Sequence, residues 1–235
     1  MELFDKYLNN IENLLAPFDA KRFVYNRDKI APITDKFELI LQSDSAYELG
    51  GGNNKAVGLV TVTEKQFDSE TIVYGKDLSE IKGDTSFAKI VILSLKDMEN
   101  DEQKFFDLIK ELEFVKYKYN VEGFMSRCSG ITKREQVRVG KKALKKGLNF
   151  ESIGNSFIKK YLEFENVKAV KIIYVTEPNV DYDSITETVE KIDVATRALN
   201  HILDNINLDC AHCNLKPICD EVDGMKELHI KNLKK

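Results

Sequence analysis

The strongest constraint on the fold is a continuous apolar run from Lys89 to Leu95. A strand with one solvated face alternates apolar and polar side chains, whereas this run is apolar at nearly every position. Such a run is typical of a central strand that is covered on both faces. A second segment, Val167 to Val175, is also predicted to be a strand because it is rich in β-branched residues. The chain is therefore predicted to contain a sheet with a buried interior.

Shorter strands are predicted at Lys36–Leu41, Val57–Val62 and Thr71–Tyr74, because these segments are rich in β-branched and large apolar residues. The first two enclose three consecutive glycines, Gly50 to Gly52. Such a backbone can turn sharply or approach a ligand closely. The alternative is a plain loop, since no phosphate-loop motif surrounds the glycines.

Five helices are predicted from apolar side chains at helical spacing. Asn100 with Gln103 and Ser184 with Glu187 resemble capping boxes that start two of them. The helix after Asn100 is expected to bury its aromatic side chains, including Phe106 and Phe114. The other predicted helices are Leu3–Ala16, Lys141–Lys146, Asn149–Phe164 and Asp183–Asn205.

The order of these elements predicts a layered α/β or α+β fold with a mixed sheet and flanking helices. A short cysteine-rich segment follows at the C-terminal end. We expect three parts: an N-terminal helix and linker (residues 1–31), the α/β domain (32–205) and a cysteine-rich tail (206–235).

Three of the four cysteines lie close together, as Cys210, Cys213 and Cys219. Thiolates at this spacing are typical of ligands to zinc or to an iron–sulfur cluster. The fourth, Cys128, completes a four-thiolate set only if the fold brings it near, and His212 is another candidate. The alternatives are a metal-free reduced tail and a redox pair at Cys210 and Cys213.

Residues 133 to 146 carry seven lysines and arginines against one glutamate, Glu135. Within this segment Val137 and Val139 alternate with polar residues, which predicts a strand with one polar face. Arginine beside lysine on such a face can bind phosphate groups. The alternative is a solvated positive surface. The candidate ligands to an anion are Arg134, Arg138, Lys141 and Lys142.

The net charge of −4 over 235 residues gives no indication of nucleic-acid binding. No apolar run is long enough to cross a bilayer, and the N-terminus lacks the pattern of a signal peptide. We therefore expect a cytoplasmic protein without a membrane partner.

Several segments in order resemble acetyl-CoA synthase, the beta subunit of the CO dehydrogenase/acetyl-CoA synthase complex. These are Glu48–Gly51, Glu122–Met125, Arg138–Leu148, Ile153–Gly154 and Val167–Pro178. The similarity covers roughly residues 36 to 205 and corresponds to the middle domain of a larger enzyme. It implies anaerobic acetyl-CoA metabolism, a partner of the CO dehydrogenase type, and coenzyme A binding by Arg138 and its basic neighbours.

The resemblance also implies an iron–sulfur site, because Cys210 and Cys213 follow the same helix as the cluster-binding cysteines of the family. The family spaces its later cysteines more widely and binds nickel through a Cys-Gly-Cys pair in a further domain that has no counterpart in this sequence. Its tryptophan beside the arginine matching Arg138 is replaced by Gln136.

The first functional hypothesis is a stand-alone relative that binds a 4Fe-4S cluster, with zinc as the alternative, and acts as an accessory or coenzyme A-binding component. The second is an acyltransferase acting on coenzyme A, and the third is a thiol–disulfide redox protein. Whether the protein is an enzyme stays open. Full acetyl-CoA synthase activity is not expected, because the nickel-ligand domain is missing.

Overall fold

The computed structural model describes residues 4–96 and 102–203. Within them the chain forms ten strands, five α-helices and one short 3-10 helix at Gln42–Asp44. In chain order the strands and α-helices are α1 Asp5–Leu15, β1 Ala20–Val24, β2 Ile33–Thr34, β3 Ser45–Leu49, β4 Ala56–Thr63, β5 Glu70–Tyr74, β6 Phe87–Leu95, α2 Glu102–Lys118, β7 Asn120–Val121, β8 Phe124–Cys128, β9 Glu135–Gly140, α3 Lys141–Lys145, α4 Phe150–Tyr161, β10 Val167–Val175 and α5 Tyr182–Leu203.

The first sheet is mixed and has the strand order β1-β5-β10-β6-β4. Strand β10 pairs in parallel with β5 and antiparallel with β6, and β6 pairs in parallel with β4. Every residue of β6 is buried. The apolar run that begins at Lys89 is therefore a central strand covered on both faces, as predicted.

The second sheet is entirely antiparallel and has the order β2-β7-β8-β9-β3. Its inward side chains include Val137 and Val139, which are fully buried. Gln136 and Arg138, which alternate with them on β9, are partly exposed. The alternation of apolar and polar residues in the sequence therefore correctly predicted a strand with one polar face.

One hydrophobic core joins both sheets and the helices. At its centre Phe150 of α4 stacks on Tyr174 of β10, with ring centroids 4.4 Å apart. Phe124 of β8 meets the same Phe150 edge-on at 6.4 Å. These rings connect the first sheet, α4 and the second sheet, so the two sheets are layers of one packed unit.

The helices cover the first sheet and its edge. Helix α4 contacts β5 and β10, whereas α2 and α5 contact β4 and α1 packs against α5. The side chain of Asn149 caps α4 by accepting a hydrogen bond from the Ser152 N–H. The predicted α/β class with a mixed sheet and flanking helices is confirmed.

The predicted strand at Lys36–Leu41 is wrong, because these residues join neither sheet. The segment still has the alternation of a strand: Ile40 is buried, whereas Phe37, Leu39 and Leu41 are exposed. It lies across the second sheet, where the Ile40 carbonyl accepts a hydrogen bond from Arg138. The strand that does pair with β9 is β3, which begins at Ser45.

Two details of the predicted helices are also wrong. Phe114 is 59% exposed, so it lies on the outer face of α2 and outside the core. Helix α5 begins at Tyr182, and its first turn is capped by Asp181, which accepts hydrogen bonds from the backbone N–H and the hydroxyl of Ser184. Asn100 and the segment from residue 204 onward lie outside the described residues.

None of the described helices is both long enough and apolar enough to cross a membrane.

Candidate functional site

The polar face of β9 places a row of basic side chains on the outer surface of the second sheet. Arg138 lies opposite Glu48 of β3 on one side and Met125 of β8 on the other. Gln136 lies opposite Arg127 of β8. Directly opposed residues in an antiparallel pair project from the same face. The register therefore brings Arg127, Gln136, Arg138 and Glu48 together.

Glu48 is the common partner of two arginines on this face. Its Oε1 accepts a hydrogen bond of 2.7 Å from Arg138 Nε, and its Oε2 accepts one of 3.2 Å from Arg127 Nη2. Arg138 Nη1 also donates to the Ile40 carbonyl at 2.8 Å. The guanidinium of Arg138 is thus held in one orientation by a carboxylate and a carbonyl before any ligand arrives.

Arg134 holds the glycine loop against β9. Its Nη2 donates to the carbonyl oxygens of Gly50 at 3.1 Å and Asn54 at 3.3 Å. Gln136 Nε2 donates to the same Gly50 oxygen at 3.0 Å. Gly50 has a φ of +69°, and a Cβ there would lie 2.4 Å from the Ala56 Cβ. The loop therefore requires glycine at this position.

The lysines of the basic segment have different surroundings. Lys141 Nζ donates to the Ser43 carbonyl at 2.9 Å, and Lys146 pairs with Glu122 at 3.3 Å. Lys142 and Lys145 are exposed on α3 and have no ion pair within the described residues. Lys133 belongs to another surface, because its ammonium group contacts Asp193 of α5 at 2.7 Å and Glu113 of α2 at 3.3 Å.

Of the four predicted anion ligands, Arg134 and Arg138 lie along one face of the second sheet, and Lys141 and Lys142 lie on the helix that follows it. Arg134 and Arg138 are half-buried, and Lys141 and Lys142 are exposed. Arg127 joins them through Glu48. These cations outnumber the one carboxylate that contacts the arginines, so the surface can attract phosphate groups.

Cys128 lies at the end of β8 beside a buried ion pair. Lys89 Nζ of β6 and Ser126 Oγ both donate to Glu135 Oε1, at 2.9 Å and 2.8 Å. Cys128 Sγ is 3.5 Å from Ser126 Oγ. Burial and the charge of Glu135 raise the pKa of Cys128 to about 12. Without a bound metal the thiol is therefore protonated at neutral pH, and metal coordination would require the loss of that proton.

The other predicted metal ligands, Cys210, Cys213 and Cys219, lie outside the described residues. Within the described part of the chain, no three histidine, cysteine or acidic side chains form a group that could hold a metal ion. The predicted cysteine site therefore stays a prediction.

Sequence reasoning missed the two acidic partners, Glu48 and Glu135. The signal for Glu135 was a lysine inside the apolar run of β6, because a charge at a central strand position requires a buried counter-charge. Glu48 lies on β3, where the sequence analysis predicted no strand, so its position beside Arg138 was missed.

A comparison with protein families matches residues 32–180 to the CO dehydrogenase/acetyl-CoA synthase complex beta subunit. A comparison with curated proteins finds no match. The matched residues include β3, the glycine loop, β8, β9 and α3, so the basic face lies entirely within them. They make up more than half of the chain. The chain therefore belongs to the family of the CO dehydrogenase/acetyl-CoA synthase complex beta subunit.

Proposed function

We propose that this protein is an acetyl-CoA synthase-related component that binds coenzyme A on the basic face of the second sheet. The observation that carries the proposal is that Arg127 and Arg138 share the single carboxylate of Glu48, with Arg134 on the adjoining glycine loop and exposed lysines on α3. Coenzyme A is a polyanion with phosphate groups at separate positions. Spaced guanidinium and ammonium groups suit such a ligand.

Binding at this face requires a phosphate to compete with Glu48 for Arg138. The Arg138 guanidinium is oriented by the Ile40 carbonyl, which would keep its position when Glu48 is displaced. Lys141 and Lys142 lie on α3, immediately after β9, and can approach a second phosphate. The backbone at Gly52 leaves open space, since a Cβ there would meet no atom within 4 Å.

Calorimetry with coenzyme A tests this proposal. The Arg138→Ala, Lys142→Ala variant should bind at least about tenfold more weakly, which is the loss of about 1.4 kcal/mol of phosphate contacts. The matched control is Arg27→Ala, Lys159→Ala, which removes the same charge at two exposed positions elsewhere. Binding by the wild type should weaken as salt rises. Equal affinity of the site variant and the control would refute the proposal.

The variant Glu48→Gln provides a second test, in which the affinity for coenzyme A should rise and not fall. Removal of the competing carboxylate frees two guanidinium groups, so coenzyme A should bind more tightly than to the wild type, by roughly three- to tenfold. A variant whose affinity falls would show that Glu48 only maintains the structure of the face.

We also propose that Cys210, Cys213 and Cys219 bind a 4Fe-4S cluster, or zinc as the alternative. Thiolates at this spacing are typical ligands of zinc and of iron–sulfur clusters, and the family match favours the iron–sulfur cluster. When bound, a cluster would supply electron transfer or a Lewis-acidic iron. Cys128, His212 or an external ligand completes the set.

Anaerobic reconstitution followed by metal analysis tests the cysteine site. We expect stoichiometric metal in the wild type, with visible charge-transfer absorption if it is iron–sulfur, and loss of metal in Cys213→Ser. Loss of metal in Cys128→Ser would identify Cys128 as the fourth ligand, and retention of metal would leave His212 or an external ligand. A wild type without iron or zinc would refute the proposal.

The family name describes a subunit of a complex, so we further propose that this chain binds a protein partner of the CO dehydrogenase type. Co-sedimentation with such a partner, repeated for this protein with and without bound coenzyme A, would test the association.

A further inference from the structure

A cavity of about 240 Å³ lies beside helix α3 and the turn between β7 and β8. Its apolar walls come from residues 30–32, Ala143 and Leu148, and Ser152 of α4 also lines it. Sites that hold a whole drug-sized ligand usually measure about 300–1,000 Å³. This cavity is therefore suited to one compact part of a larger ligand.

An ion pair lies among these apolar groups. Lys146 Nζ contacts Glu122 Oε1 at 3.3 Å, and both residues line the cavity. The other carboxylate oxygen, Glu122 Oε2, has no hydrogen-bond partner among the described residues. The pair thus offers a hydrogen-bond acceptor and a hydrogen-bond donor next to each other. An uncharged group that carries a donor beside an acceptor on one edge matches this arrangement.

A row of lysines on α3 leads from the basic face to this cavity. Since an α-helix turns by about 100° per residue, these side chains follow one another around the helix in the order Lys141, Lys145, Lys142 and Lys146. Lys141 donates to the Ser43 carbonyl at one end of the row, and Lys146 lines the cavity at the other. A polyanion bound on the basic face can therefore extend along ammonium groups as far as the cavity.

The carboxylates near this lysine row are mostly engaged by other groups. Glu122 is paired with Lys146, and Glu38 accepts a hydrogen bond of 2.6 Å from the Gly123 N–H. Asp44 is exposed at the end of the row that is remote from the cavity. The two lysines in the middle of the row have no ion pair within residues 4–96 and 102–203. The row can therefore bind phosphate groups.

We propose that the cavity beside α3 binds the adenine ring of coenzyme A, with phosphate groups of the ligand along the lysine row. This inference rests on the coenzyme A binding proposed above and adds where the nucleotide end of the ligand lies. Adenine is flat and uncharged at neutral pH, and its amino group lies beside a ring nitrogen that accepts hydrogen bonds. The amino group would donate to Glu122, and Lys146 would donate to the ring nitrogen. The opposite end of coenzyme A carries the reactive thiol, which has to stay accessible and therefore does not suit the cavity.

Calorimetry with two nucleotides tests the recognition of adenine. The probes are adenosine 3′,5′-bisphosphate, which is the nucleotide end of coenzyme A, and the corresponding inosine compound, in which the donor and the acceptor are exchanged. The full chain should bind the adenosine compound about tenfold more tightly than the inosine compound. This preference should largely disappear in Glu122→Gln, because an amide can turn either to donate or to accept. Equal affinity of the wild type for the two nucleotides would overturn the inference.

Two isoleucine variants test the apolar wall of the cavity. Ile30→Ser removes a partly exposed wall residue and should weaken the binding of adenosine 3′,5′-bisphosphate about fivefold. The matched control Ile131→Ser, which removes a 93% exposed isoleucine elsewhere, should not change it. Neither variant should change the binding of 4′-phosphopantetheine, which lacks adenine. If Ile30→Ser weakens the binding of both ligands equally, or of neither, the inference is wrong.

Nuclear Overhauser effects between ligand and protein locate the adenine ring directly. In the complex of the wild type with coenzyme A, the adenine protons should show such effects to the methyl groups of Ile30 and Leu148. Coenzyme A that depends on Arg138 for binding but shows adenine contacts elsewhere would overturn this inference alone. The absence of any coenzyme A binding would instead refute the proposed function, and the inference with it.

Discussion

The buried pair of Lys89 and Glu135 shows how single residues fix the arrangement of the two sheets. Both side chains are only 3% exposed, and Lys89 also lies over the Phe157 ring, 4.1 Å from its centroid. A Cβ on Gly58 of β4 would lie 2.7 Å from Glu135 Cβ. The Lys89–Glu135 ion pair, the Phe157 ring and the absence of a side chain on Gly58 together allow β9 to approach the first sheet closely at this point.

Removal of one partner of the Lys89–Glu135 pair should therefore lower the free energy of unfolding far more than removal of both. Lys89→Met leaves the Glu135 carboxylate buried without its ammonium partner, and should lower the free energy of unfolding by about 3–5 kcal/mol. The double variant Lys89→Met, Glu135→Leu should regain most of this loss. Urea unfolding measures both.

The control is Lys21→Met, because the Lys21–Glu80 pair is exposed and should contribute little to the free energy of unfolding. A double variant that is less stable than Lys89→Met would contradict the expectation and show that the ion pair itself is needed.

At the scale of elements, local pattern predicted the five helices and five of the ten strands, but not the partners of the strands. The segments β4, β5, β6, β9 and β10 were found because their apolar residues have the spacing of buried or half-buried strands. The five-residue strands β1, β3 and β8 were missed. Strands β2 and β7 were missed as well, since two residues carry no periodicity. Lys36–Leu41 has the pattern of a strand and yet pairs with none, because alternation reports burial of one face and not a hydrogen-bonded ladder.

The packing of α4 on β5 depends on one glycine that the sequence pattern did not single out. A Cβ on Gly154 would lie 2.0 Å from Thr71 Oγ1 and 2.8 Å from its methyl carbon. Alanine in a helix normally stabilises relative to glycine, by about 0.5–1 kcal/mol. Here overpacking should dominate, so Gly154→Ala should destabilise the protein by about 1–3 kcal/mol.

Thermal or urea unfolding of paired variants tests this close approach. Gly154→Ala, Thr71→Ala should be more stable than Gly154→Ala alone, because the second change removes the atoms in conflict. Gly83→Ala, where a Cβ would meet nothing within 4 Å, should be close to neutral. If Gly154→Ala stabilises the chain, α4 does not pack on β5 as closely as described.

At the scale of the whole molecule, the basic segment connects separate layers and is not one uniform positive surface. Lys133, with a φ of +50°, pairs with Glu113 of α2 and Asp193 of α5, while its carbonyl accepts a hydrogen bond from the Gly58 N–H of β4. A few positions along, Arg138 faces the opposite surface. The sequence shows how many basic residues this segment carries. The structure shows that Lys133 forms a structural cluster with Glu113 and Asp193, whereas Arg138 belongs to the candidate anion site.

The structural cluster should make the stability of the whole fold depend on pH. Burial acts to raise the pKa of Glu113, but the charges of Lys116 and Lys133 outweigh it and hold that pKa below its ordinary value of 4.5. Since the unfolded chain binds the proton first, this contribution to stability is fully present above about pH 4.5 and is lost as the pH falls through the lowered value.

Glu113→Gln should reduce the free energy of unfolding by about 1 kcal/mol near neutral pH, and its difference from the wild type should shrink on acidification. Glu190→Gln on the exposed face of α5 removes the same charge and should show no such trend in urea titrations over the same pH range. A Glu113→Gln deficit that is constant with pH would mean that packing, and not charge, connects α2 to Lys133.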